Sequence, residues 1–148
     1  MTCNKENQTE TIKSYFESIG SELGLKVLYS RKQAINVILE NVDMFPIIVV
    51  SPINSFTLDV LGRAVMAYEV AVLDVCPQDY DETQEESKEF TCIGTLSKIL
   101  RKMQSQESDI VSLQRYDANL QKFYDMYDSN LMGALCNVYL KRKSDVCI

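Results

Sequence analysis

The stretch YDSNLMGALCNVYLKRK, residues 127–143, decides the fold of this chain. Its polar start, from Asp128 to Asn130, has the composition of a turn. Every second side chain from Met132 to Leu140 is apolar, which is the period of a strand with one buried face. The sequence therefore predicts a long closing strand over residues 131–142, with one glycine inside it.

A second long strand is predicted over residues 63–75, in the middle of the chain. Its side chains alternate between two faces, one with Met66, Tyr68, Val70 and Val72 and the other with Val65, Ala67, Glu69, Ala71 and Leu73. A strand of this length indicates a central position in an antiparallel sheet.

Helical patterns surround both strands. The first helix is predicted from about Thr9, with apolar residues three and four apart (Ile12, Phe16, Ile19 and Leu23), and it ends where Gly24 provides a C-cap. A second helix is predicted over residues 30–41. A third is predicted over residues 82–104, with an apolar face of Phe90, Ile93, Leu96 or Ser97, Leu100 and Met103.

Shorter strands are predicted over residues 25–29, 47–50 and 109–115. The β-branched run at 47–50 is expected to be buried on both faces. Residues 51–61 are predicted to form a loop that carries Phe56 and Leu58, either as a flap over the core or as a contact for a partner. Residues 116–130 are expected to be irregular or short-stranded.

Composition indicates one soluble domain with one core, since 46% of the 148 residues are hydrophobic and 24% are charged. Residues 1–8 are expected to be a flexible arm and residues 141–148 a basic C-terminal tail. No apolar run is long enough to span a membrane, and the N-terminus lacks the apolar core of a signal peptide. We therefore expect a protein that is made and kept in a cytosol.

The chemistry of the side chains argues against catalysis. There is no histidine, which removes Ser-His and Cys-His nucleophile pairs. The five cysteines are odd in number and unclustered, so we expect free structural thiols rather than disulfides or a zinc site. Without a nucleotide-binding glycine motif either, the sequence predicts no enzyme, no metal and no cofactor.

Charge is unevenly distributed along the chain. The net charge is −6, which disfavours nucleic-acid binding, and seven acids fall between Asp74 and Glu89. Glu82, Glu85, Glu86 and Glu89 have the spacing of one helix face, which is either a solvated surface or a charged subunit interface. Lys141, Arg142 and Lys143 have the opposite sign, and this polarity suits head-to-tail association as well as two solvated ends.

Four local features together resemble a known family. They are the amphipathic helix from Ile12 to Leu23, the aromatic-proline step MFPIIVV at 44–50, the long strand from Arg63 that ends before an acidic turn, and the DSNLMG opening of the final strand. In this order, residues 10–143 resemble the tail-terminator and tail-completion proteins of tailed bacteriophages, and the related neck or head–tail connector rings. Residues 122–128 depart from the family pattern.

The resemblance implies an α+β subunit with a mainly antiparallel, curved sheet and helices packed on one side. It implies a ring of six or twelve copies at the phage neck or tail end, in contact with neighbouring connector or tail proteins. DNA would pass through the channel without specific binding, and the protein would reside in the virion after synthesis in the host bacterial cytoplasm. It would contact no membrane.

The expected ring contacts lie at the N-terminus, in the loop at 51–61 and in the acidic turn. The residues assigned to them, together with the basic end, are Phe56, Leu58, Asp79, Asp81, Glu82, Glu85, Glu86, Lys141, Arg142 and Lys143. A second hypothesis is a monomeric cytosolic adaptor or inhibitor that docks a basic partner through the acidic face. A third, a histidine-free enzyme, requires a pocket that the sequence does not locate.

Overall fold

The computed structural model describes residues 5–30, 46–58, 60, 64–75, 81–105, 111–117, 121–124 and 131–142. These residues form two helices and six strands. In chain order they are α1 (Lys5–Leu23), β1 (Lys26–Tyr29), β2 (Ile47–Leu58), β3 (Ala64–Val75), α2 (Glu82–Ser105), β4 (Val111–Tyr116), β5 (Gln121–Tyr124) and β6 (Leu131–Arg142). The architecture is α+β, with both helices on one side of one open sheet, as the sequence predicts.

The strand order in the sheet is β1-β2-β3-β6-β4, and β5 pairs with β6 beside β4. Among the described strand pairs, β1 with β2 is parallel and the other four are antiparallel, so the sheet is mixed but mainly antiparallel. The two long predicted strands lie side by side at its centre, in an unbroken register from Val65↔Lys141 to Val75↔Leu131. The central position predicted for the strand over residues 63–75 is confirmed.

Strand alternation places one row of buried side chains against the helices. This main core contains Tyr68 and Val70 of β3 together with Cys136 and Val138 of β6. From the helices it takes Ile12, Phe16 and Ile19 of α1 and Cys92, Leu96, Ile99, Leu100 and Met103 of α2. The apolar faces predicted for β3, β6 and α1 are confirmed. Each large apolar side chain in this cluster contributes on the order of 1.5–3 kcal/mol.

The opposite face of the sheet carries a smaller buried cluster. It consists of Ile47, Val49, Ala71, Leu73, Leu131 and Leu135. All four residues from Ile47 to Val50 are buried, alternately in the main core and in this second cluster. The prediction that this strand segment is buried on both faces is therefore confirmed.

The C-terminus of α1 has the predicted glycine cap. Gly24 adopts a positive φ of 70°, where a side chain is strained. The Leu25 amide donates to the Gly20 carbonyl at 2.9 Å and the Gly24 amide donates to the Ser21 carbonyl at 3.2 Å. This pair of bonds is a Schellman motif, and it turns the chain directly into β1.

One predicted loop is wrong, because β2 continues through it to Leu58. The register with β3 shifts between Pro52 and Phe56, where the ladder is irregular. Proline donates no ladder hydrogen bond, and from Pro52 to Phe56 the β2 chain advances four residues while β3 advances two. The interrupted ladder and the proline explain why the sequence pattern favours a loop.

The predicted apolar face of α2 is partly wrong. Leu96, Leu100 and Met103 are buried as expected, but Phe90 is 63% exposed. Cys92 and Ile99 complete the buried stripe instead, and Phe90 lies on another side of the helix. Glu89, which we expected on the solvated face, is buried.

Other boundaries differ by a few residues. The helix α1 begins at Lys5, so residues 5–8 are helical rather than part of an arm. Lys141 and Arg142 end β6 instead of starting a tail. The short strand β5 lies within the segment predicted to be irregular or short-stranded. The helix predicted over residues 30–41 lies outside the described residues, apart from Ser30.

Two helical glycines provide a matched test of this packing. A methyl group on Gly20 would meet the Val27 side chain and approach the Leu25 carbonyl oxygen to 2.8 Å, whereas one on Gly94 meets nothing within 4 Å. We expect Gly20→Ala to destabilise the fold by about 1–3 kcal/mol. Gly94→Ala should stabilise it by about 0.4–1 kcal/mol. Urea unfolding measures both, and equal effects of the two substitutions would contradict the close approach of α1 and β1.

Candidate functional site

A capping box builds the start of α2. The Gln84 amide donates to the Asp81 carboxylate at 2.8 Å, and the Asp81 amide donates to the Gln84 side-chain oxygen at 3.0 Å. The Glu85 amide donates to the Asp81 carbonyl at 3.0 Å, which is the first helical hydrogen bond. These bonds fix the helix start, and with it the direction of the acidic side chains that follow.

Lys88 ties this helix start to the end of β3. Its Nζ donates to the Val75 carbonyl at 2.8 Å and lies 3.4 Å from Oδ2 of Asp74. The other oxygen of Asp74 accepts the Val75 amide at 2.8 Å. Because these groups are partly buried, the contacts are less screened than a surface ion pair.

The acidic patch consists of Asp81, Glu82, Glu85 and Glu86. Asp81, Glu82 and Glu86 are exposed and Glu85 is half-buried. Four of the predicted interface residues therefore form one surface at the Val75 end of β3. Asp79 lies outside the described residues.

A sheet cleft lies at the other end of β3, on the sheet face that carries the second buried cluster. The cleft is lined by Phe56, Thr57, Val65, Ala67, Arg115 and Tyr139, and its empty volume including the open mouth is about 310 Å³. Strand register explains the grouping, because Thr57 pairs with Val65 across β2 and β3. Ala67 likewise pairs with Tyr139, which pairs with Arg115.

Arg115 is the charged member of the sheet cleft. Its guanidinium carbon lies 3.8 Å from the centre of the Tyr139 ring, which is a cation–π contact. Nη1 lies 3.7 Å from Oδ1 of Asp117, and both side chains are well exposed, so this ion pair is weak. The Tyr139 ring thus orients a guanidinium that presents donors to the mouth of the cleft.

The remaining predicted interface residues lie near the cleft. Phe56 and Leu58 of β2 are 66% and 62% exposed. Lys141 lies next to the cleft because it pairs with Val65. Arg142 pairs with Val111 at the backbone, and Lys143 lies outside the described residues.

The described members of the predicted set thus form two separate groups. From Val65, beside the cleft, to Val75, beside the acidic patch, β3 advances ten residues. At about 3.3 Å per residue this separation is roughly 33 Å. The two groups of one copy therefore cannot contact each other. A contact that pairs one group with the other must join two different copies.

Sequence reasoning missed most of the sheet cleft and the exposure of Phe90 on α2. Arg115 and Tyr139 lie 24 positions apart in sequence and meet only through strand register. Phe90 was assigned to the core because an aromatic residue near an apolar period usually packs there. A glutamate-rich neighbourhood, with Glu85, Glu86 and Glu89 around it, was the available signal for exposure.

The two described cysteines are structural. Cys92 and Cys136 are both buried and free, as the sequence predicts. Burial raises the pKa of the Cys92 thiol to about 11, with a further contribution from the carboxylate of Asp74. Burial likewise raises the pKa of Cys136 to about 11, aided by Asp117. Both thiols are protonated at neutral pH, so neither is a nucleophile.

Within the described part of the chain, no three Cys, Asp or Glu side chains are placed to hold a metal ion. No described helix is long and apolar enough to cross a membrane. A comparison with models of protein families finds no match, and none of the curated proteins matches the sequence.

The thiols predict how stability changes at alkaline pH. The fold favours the protonated thiols. Their contribution to the free energy of unfolding is therefore complete below pH 9, the ordinary pKa of a thiol, and is lost as the pH rises towards about 11. Between about pH 8 and about pH 10.5, we expect the free energy of unfolding to fall further in wild type than in a Cys92→Ala/Cys136→Ala variant. The extra loss should be about 1–2 kcal/mol per buried thiol. Urea unfolding under reducing conditions at both pH values measures the difference. Equal losses in the two proteins would contradict the assigned burial.

Proposed function

We propose that this chain is a structural virion protein that forms a ring at the neck or tail end of a tailed bacteriophage. The ring joins or terminates the tail around the DNA channel and contacts neighbouring connector or tail proteins. The protein performs no chemistry of its own. The observation that carries the proposal is the separation of two complementary surfaces, the acidic patch and the sheet cleft, at opposite ends of the central strands.

Complementary surfaces at different places on one subunit are what a ring requires. A contact between unlike surfaces is heterologous, and repeating it closes a ring when the rotation between copies is suitable. The cleft has a cation, Arg115, and Lys141 lies beside it, whereas the helix start is acidic. Association through these surfaces neutralises both in every copy.

The net charge also supports a channel role. DNA carries a dense negative charge, and proteins that bind it neutralise its phosphates with lysine and arginine. A subunit with a net charge of −6 repels the phosphate backbone instead. A ring of such subunits surrounds DNA without holding it, so that the genome passes through.

The second candidate is a monomeric adaptor or inhibitor that docks a basic partner. It is favoured by the acidic patch alone, since Asp81, Glu82 and Glu86 are exposed in the single chain. The adaptor uses no second surface and has no need for self-association. The two candidates therefore differ in solution mass.

The proposal predicts concentration-dependent rings. Light scattering over a range of protein concentrations should show mass rising from one copy to a ring, and negative-stain images should show closed rings of six or twelve. Reversal of Glu82, Glu85 and Glu86 to lysine should weaken assembly by at least about tenfold in concentration, since like charges then face each other. Added salt should weaken wild-type assembly in the same direction.

The control is Glu17→Lys, which reverses an exposed charge on α1, a helix that contributes no residue to either surface. Its assembly should match that of wild type. A wild-type mass of one copy at every concentration would favour the adaptor. Rings that persist in the triple reversal would remove the acidic patch from the assembly contact.

A further inference from the structure

Phe90 is an exposed aromatic residue beside the acidic patch. It is 63% exposed on a helix whose other large apolar residues are buried or half-buried. Glu86 precedes it by four residues and Glu82 by eight, so the three side chains line one face of α2. The next position on this face is Gly94, which is exposed and leaves open space around it. On this face of α2, Phe90 therefore has acidic side chains on its N-terminal side and a glycine without a side chain on its C-terminal side.

The sheet cleft has the complementary chemistry. Its lining includes the apolar side chains of Val65 and Ala67 and the Tyr139 ring, with Arg115 at the rim. The cleft is open to solvent, so an aromatic ring would lie against these side chains in an open groove rather than in an enclosed cavity. A phenyl ring in the cleft would lie near the Arg115 guanidinium, which stacks favourably on aromatic rings.

The two surfaces lie on opposite sides of the subunit. Val65 and Ala67 share the β3 face with Ala71 and Leu73 of the second cluster. The alternate face of β3, with Tyr68, packs in the main core against α2. One copy therefore cannot place its own Phe90 in its own cleft, whereas a second copy can.

We infer that Phe90 of one copy inserts into the sheet cleft of a second copy, with Glu86 of the first copy paired to Arg115 of the second. The occupant is a second copy because this chain supplies both the aromatic residue with its adjacent carboxylate and the apolar cleft with its guanidinium. Glu86 lies one helical turn from Phe90, about 5–6 Å between Cβ atoms, so it reaches the rim when the ring is seated. Hydrogen bonds between arginine and a carboxylate are charge-assisted and frequently bidentate, which makes them stronger than neutral ones.

This inference rests on the proposed function and deepens it, because it names the contact through which the ring assembles. Phe90→Asp removes the aromatic side chain from α2 and leaves the cleft intact. Arg115→Glu removes the guanidinium from the cleft and leaves Phe90 intact. Both side chains are well exposed, so both variants should fold with the stability of wild type. Each alone should weaken self-association by at least about tenfold.

Mixing the two variants is the decisive experiment. Each retains one intact surface, so an equimolar mixture should form a one-to-one dimer, measured by light scattering or native mass spectrometry. Growth stops there, since the two surfaces left over are both acidic and repel. A mixture in which both variants stay monomeric while wild type assembles would overturn the inference.

A charge exchange adds a second readout. Glu86→Arg should weaken assembly, and the double variant Glu86→Arg/Arg115→Glu should recover most of it. Wild-type rings that are unaffected by any of these substitutions would overturn this contact and leave the proposed function standing. A wild type that remains monomeric throughout would overturn both. Glu17→Lys again serves as the control for surface charge.

Discussion

The pairing of β3 with β6 is the constraint on which the rest of the structure depends. The register from Val65↔Lys141 to Val75↔Leu131 has no bulge, so both strands keep one alternation along their whole length. One face of the pair supplies the main core under the helices, and the other supplies the second cluster and the sheet cleft. A shift of one residue would exchange the two faces, and it would expose Tyr68 and Val70 while burying Glu69.

The same pair also sets the distance between the two candidate surfaces. β3 is long enough for its ends to lie roughly 33 Å apart at about 3.3 Å per residue. Lys88 fixes the acidic helix start to one end through the Val75 carbonyl and Asp74. At the other end, ladder pairing of β2, β3, β6 and β4 assembles the cleft. A shorter pair of strands would place cations beside the acids, where they would neutralise each other within one copy.

Much of the fold was predictable because its strongest elements are regular. β3, β6 and α1 have side chains whose period survives along the whole element, and Gly24 marks the end of α1. The continuation of β2 beyond Pro52 was not predicted, since the ladder is interrupted there and proline disfavours a strand. The cleft was unpredictable for a different reason. Arg115, Tyr139 and Val65 belong to three strands, and their meeting depends on register, which one sequence does not reveal. The acidic patch was predictable because its residues are neighbours in sequence.

Folding alone explains some of the acids at the start of α2, but not all of them. Asp81 is used by the capping box, and Glu82 and Glu85 lie in the first turn, where a negative charge stabilises the helix by about 0.3–1 kcal/mol. Glu86 lies beyond that turn, where the helix dipole no longer contributes appreciably, and it is exposed. Phe90, four residues on, likewise adds little to the core because it is 63% exposed. Glu86 and Phe90 are thus neighbours on one helix face, and the fold requires neither of them. A contact with another molecule best explains the chemistry of this part of α2.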